Sequence, residues 1–119
     1  MDVNKLWFRK IGKLHYLKTY EYIDGVKLFS CKNLYGQKYI AFWINTTEEY
    51  EKWFFVPVSK NRLKEVEDKK IFLRDIFSLP EKKWVWEVKE HFGEKENKIQ
   101  RINMEDIKES DLPEKNVLI

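Results

Sequence analysis

Ser59, Lys60 and Arg62 fall within four residues of one another in "VPVSKNRL", directly after an apolar run. A serine there is a good helix N-cap, and the amide groups of a helix's first turn can receive an anion. Lys60 and Arg62 would add charge beside it, and Arg74 arrives from the next short apolar segment. Trp43 and Trp53 lie just upstream and supply rings on which a planar base could stack. Together these six residues outline a site for a nucleotide-like or phosphate-bearing ligand. The competing structural role is an ordinary cap, with Arg62 paired to an acid such as Asp75.

Other chemistry finds little support. The two histidines, His15 and His91, stand far apart, and Cys31 is the one cysteine, so no metal-ligand spacing exists. Cys31 cannot form an intramolecular disulfide and reads as a buried structural thiol. No nucleophile motif surrounds Cys31 or Ser59. The four glycines are scattered at 12, 25, 36 and 93, which rules out a glycine-rich phosphate loop. The acids of "TEEYE" and "EVED" read as solvated faces. The expectation is a non-catalytic binding protein with no cofactor and no metal.

The elements that must position these residues follow from periodicity. The chain has 119 residues, suited to a single domain over 1–119. It is 43% hydrophobic and 16% aromatic, which favours a β-rich core. "KLHYLKTYEYI", "VKLFSC", "QKYIAFWIN", "KWFFVPVS" and "KKWVWEVKEHF" each show period two, and "KIQRINM" supplies a sixth, weaker strand. Asp24-Gly25 and Asn33 to Gly36 are turn signals. Residues 3–17 also fit a helical stripe through Leu6, Trp7, Ile11 and Leu14, so helix and strand both stand open there. Pro57 marks an edge position or a strand end.

Two strands break the usual rule of one apolar and one polar face. Ile40, Phe42 and Ile44 oppose Tyr39, Ala41 and Trp43; Phe54, Val56 and Val58 oppose Trp53 and Phe55. The sheet must therefore be covered on both sides, or curl, or expose rings for binding. Short apolar stripes at Leu63 and Val66, then Ile71 to Leu79 before Pro80, predict two short helices that cover one face. The fold expected is α+β: a strongly curved, mainly antiparallel sheet of about five or six strands, with two short helices between residues 59 and 79. Residues 104–119 fit no template and read as an irregular tail.

The run "LFSCKNLYGQKYIAFWI", then "WFFVPVSKNRL", "LRDIF" and "WVWEV", resembles a small prokaryotic domain family of unknown function. The matching residues are Gly36, Tyr39, Ile40, Ala41, Trp43, Trp53, Val56, Pro57, Val58, Ser59, Arg62, Leu63, Leu73, Arg74, Asp75, Ile76 and Phe77. They span roughly residues 20–89. The resemblance implies the domain organisation and no activity.

Charge is uneven although the net value is +3. Residues 1–44 carry eight Lys/Arg against three Asp/Glu, and residues 90–119 carry five against eight. A basic half could attract a phosphate-bearing partner. The acidic tail and modest net charge argue against nucleic acid. No apolar run suits a signal peptide or a membrane span, so a cytoplasmic location with no membrane partner is expected.

Two functions are consistent with this. One is capture of a small nucleotide, by analogy of size and surface chemistry with phage-encoded sponges that antagonise immune nucleotide signalling. The alternative is a protein-interaction or oligomerisation module using exposed aromatics. Apolar residues on both faces of two strands exceed what two short helices can cover, so self-association, most simply as a homodimer, is expected.

Overall fold

The sequence's period-two stretches become a seven-stranded sheet in which every strand pairs with its neighbours in sequence, all antiparallel. The computed structural model describes residues 3–22, 26–93 and 96–119. The strands are β1 (Trp7–Phe8), β2 (Gly12–Tyr22), β3 (Val26–Asn33), β4 (Lys38–Thr46), β5 (Tyr50–Val58), β6 (Trp84–His91) and β7 (Lys98–Asn103). The count is seven, not five or six. The extra strand is β1, whose two residues are too few to show a period. The Asp24-Gly25 turn lies outside the described residues. β2 slips register near Tyr16 and again near Thr19, which is why its alternation is imperfect in the sequence.

Parity sorts the core. Leu28, Ile40, Phe54, Val56, Val58 and Val85 pack on one face. Phe29, Cys31, Tyr39, Ala41, Trp53, Phe55, Trp86 and Val88 pack on the other. Each face has its own cover. Helices α1 (Lys60–Glu67) and α2 (Leu73–Ser78) bring Leu63, Val66, Leu73, Ile76 and Phe77 onto the first. Val3, Leu6, Phe8 and Ile11 of the N-terminal segment cover the second.

That second cover shows the curvature. Phe8 of β1 and Trp86 of β6 share one cluster although four strands separate them in the sheet order. The sheet rolls towards a barrel, as right-handed twist favours. It does not close, because β1 and β7 pair with each other nowhere in the ladder. The two helices leave the second face to the N-terminal segment, so residues of one chain pack on both faces.

Pro57 pairs with Tyr39 on β4, but the β5–β6 ladder ends at Phe55 and Trp86. Its missing N–H therefore lies past the end of that ladder, where proline is tolerated. After β7 the chain forms two 3₁₀ turns, Met104–Asp106 and Glu109–Asp111, and is otherwise irregular. Arg74 pins this tail by donating to Pro113 O at 3.0 Å and to Glu109 Oε1 at 2.8 Å. Leu73 N–H donates to Val117 O at 2.7 Å. Cys31 is fully buried, and burial pushes its thiol well above the usual range. That suits an inert structural thiol. The same face pushes the Tyr39 phenol up to about 12, through burial and then the neighbouring Cys31.

Candidate functional site

The six residues singled out in the sequence fall into two groups on opposite faces of the sheet: Trp43 pairs with Trp53 across β4 and β5, while Ser59, Lys60, Arg62 and Arg74 belong to the helical side. Ser59 is the N-cap of α1, its Oγ accepting from Arg62 N–H at 3.1 Å. Its own N–H donates to Glu81 Oε1 at 2.8 Å. A carboxylate of the chain itself thus already stands at this helix start, where an incoming anion would be placed. Arg62 turns to α2: its Nη2 donates to Asp75 O at 3.2 Å and to Leu79 O at 2.8 Å. The partner is the backbone at the end of α2, not the Asp75 carboxylate. Arg74 holds the tail, and Lys60 is exposed.

Trp53 belongs to the opposite face of the sheet from both arginines. It is 1% exposed and packs edge-on against Phe29 at 5.4 Å. Trp43 is half-buried on the Trp53 side, with Lys27 Nζ 4.0 Å from its ring centroid and its Nε1–H donating to Thr46 Oγ1. The sheet itself separates these rings from the guanidinium groups. Strand parity sets Trp53 opposite Phe54, Val56 and Val58, and it is the latter face that the helices carrying the arginines cover.

Arg62→Ala is expected to lower the melting temperature, because two carbonyls at the end of α2 lose a charged donor. A loss of about 1–3 kcal/mol is the usual range for such bonds. Urea denaturation measures it, and an unchanged midpoint would show that the contact contributes nothing.

A different cleft forms where the rolled sheet stays open. It holds about 870 Å³ and lies between Trp7, Phe8, Arg9 and Lys10 on one side and Glu96 to Gln100 on the other, with Glu87 and Lys89 at its base. These are the free edges of the first and last strands. Phe8 points into the core, so Trp7 takes the outer side and is 65% exposed. Arg9, Lys10 and Lys98 are exposed as well. None of these three cations has a carboxylate partner among the described residues.

The base of the cleft is electrically settled. Glu87, 8% exposed, accepts from Gln100 Nε2 at 2.9 Å and lies 3.6 Å from Lys52 Nζ and 3.8 Å from Lys89 Nζ. Lys52 also bridges to Asp111 of the tail at 3.0 Å. The negative charge of Glu87 is therefore matched within the protein, while Arg9, Lys10 and Lys98 outnumber Glu96 among the described residues of the rim. Lys10 also reaches over Trp86, 5.9 Å from its ring centroid.

Sequence reasoning passed over this cleft because its walls come from opposite ends of the chain. The local signal was a ring beside two cations in "WFRK", with Lys98 at the start of β7.

Fold and site together define a small, rolled antiparallel meander, filled on both faces, with a basic aromatic seam where its edge strands approach. The chain belongs to a family of unknown function (DUF6575), whose model matches residues 9–119. That match reaches beyond the stretch that carries the resemblance and takes in β2 and the tail. No curated protein and no solved structure matches the chain. Among the described residues, no group of three or more His, Cys, Asp or Glu could hold a metal ion, and no helix is long and apolar enough to cross a membrane.

Proposed function

We propose that the protein captures a planar, phosphate-bearing ligand of nucleotide type in the seam between β1 and β7, without turnover. The observation that carries this is the exposed Trp7 ring beside Arg9, Lys10 and Lys98, three cations with no carboxylate partner among the described residues. An indole offers a base a stacking surface at roughly 1–3 kcal/mol. Arginine and lysine give a phosphate charge-assisted hydrogen bonds. The cleft volume of about 870 Å³ falls in the range of small-ligand sites, roughly 300–1,000 Å³. Capture without chemistry is how a sponge would withdraw a signalling nucleotide.

The test is a thermal-shift screen of linear and cyclic nucleotides, followed by calorimetry on Trp7→Ala and Arg9→Ala. Trp7 is exposed, so its removal should leave stability within about 0.5 kcal/mol. Affinity should fall about tenfold or more, at 1.4 kcal/mol per decade. A screen without a stabilising nucleotide sinks the proposal. So does a nucleotide that binds Trp7→Ala as tightly as the parent.

A further inference from the structure

The β3–β4 turn presents two large apolar side chains to solvent on a rigid base. Leu34 is 72% exposed and Tyr35 is 90% exposed. Asn33 beneath them is buried and fully engaged. Its Nδ2 donates to Ile11 O at 3.0 Å, and its Oδ1 accepts from Tyr35 N–H and Gln37 N–H, both at 3.0 Å. Gly36 N–H donates to Asn33 O at 3.1 Å, and its φ of +85° is one that glycine takes without strain. The tip is held out by its own hydrogen bonds, and folding gains nothing from leaving Leu34 and Tyr35 in water.

Lysines gather around this tip. Lys32 and Lys38 stand directly opposite each other at its base. Like charges in that position destabilise a sheet. Lys38 and Lys60 line a hollow of about 550 Å³ with Tyr35, and Lys82 Nζ donates to Gln37 Oε1 at 3.1 Å. Lys32, Lys38 and Lys60 have no carboxylate partner among the described residues. Of the nearby acids, Glu81 is engaged with Ser59 N–H.

We propose that the Leu34–Tyr35 tip docks this protein on an anionic lipid surface. An apolar side chain and a tyrosine at the leading point enter the boundary between headgroups and acyl chains, where amphipathic rings are favoured. The surrounding lysines remain at headgroup level and gain from the negative surface potential. The paired lysines, unfavourable in isolation, face the charge that compensates them. A soluble phosphate would explain the lysines but would have no use for Leu34. A peripheral contact of this kind needs no membrane span.

The experiment is co-sedimentation of the full chain with vesicles of phosphatidylcholine, and of phosphatidylcholine mixed with phosphatidylglycerol. The parent protein should partition to the anionic vesicles about tenfold more strongly than to the neutral ones, and less at high salt. The double variant Leu34→Ser, Tyr35→Ser should lose that partitioning with an unchanged melting temperature, since both side chains are exposed. Lys38→Ala with Lys60→Ala should weaken it while keeping the tip. Absence of binding to anionic vesicles overturns the proposal, as does equal binding by the double variant. A concentration-dependent dimer mass that the double variant abolishes, without vesicle binding, assigns the tip to a second copy of the chain and also overturns it.

Discussion

Trp53→Ala is expected to remove about 3–5 kcal/mol of stability, the usual cost of truncating a buried aromatic ring. Against a typical total of roughly 5–15 kcal/mol, that leaves a marginal protein. The ring is 1% exposed and packs edge-on against Phe29, whose own ring meets Phe55 at 5.9 Å. It sits in the centre of β5, paired with Trp43 on β4 and Val88 on β6. Collapse around the space it leaves would have to move three strands at once. Trp53→Phe keeps most of the volume and should cost much less. Urea denaturation of the two variants checks this, and a loss below about 1 kcal/mol for alanine would show that the ring is not part of the packed core. The contrast with Trp7→Ala separates the two roles a tryptophan can play here. One change acts on stability and the other on binding.

Lys52→Met should have the next largest effect. Lys52 is the shared cation of Glu87 and Asp111, at 3.6 and 3.0 Å, and all three side chains are at most 15% exposed. Removing one partner of a buried pair leaves an uncompensated charge at a cost of about 3–5 kcal/mol. Lys89 remains 3.8 Å from Glu87, so about 2–3 kcal/mol is expected at neutral pH. Burial on its own pulls the Lys52 ammonium down. The hydrogen bond to Asp111 and the charges of Glu87 and Asp111 outweigh it and leave the pKa raised. A folded-state pKa above the unfolded value of about 10.4 means this contribution is fully present below that pH. It is lost as pH rises through the folded value. The parent protein should therefore lose stability in strong alkali more steeply than Lys52→Met. Amide exchange should also quicken in the tail around Asp111. Equal stabilities at neutral pH, or parallel alkaline profiles, would contradict this account.

Much of the architecture is legible in the sequence because strand parity is a local property. Tyr39, Ala41 and Trp43 face away from Ile40, Phe42 and Ile44, and the two core clusters divide along that line. Ser59 and Pro80 bracket the helical segment for equally local reasons, a cap and a residue that cannot continue a helix. β1 was hidden because two residues carry no period. The candidate site was hidden for a different reason. Its walls, residues 7–10 and 96–100, come together only through the accumulated twist of all seven strands. Local spacing instead favoured Trp53 with Arg62. Although near along the chain, those two residues lie on opposite sides of the sheet, because the helices pack on the face that Trp53 does not share.

The nearest-neighbour strand order also bears on how the chain reaches this shape. Sheet proteins usually fold slowly because their pairings join distant parts of the chain, and contact order measures that cost. Here each ladder joins segments consecutive in sequence, from β1 with β2 through β6 with β7. From β1 to β5 assembly can proceed hairpin by hairpin, each step closing a short loop of modest entropy, while the β5–β6 step must close over both helices. The longer closures are three: β6 onto β5 across the helical segment, Leu6 and Phe8 onto Trp86 and Val88, and the tail onto α2. Rolling up is thus expected to come late, with the two strand edges that frame the seam reaching their positions after the ladders have formed.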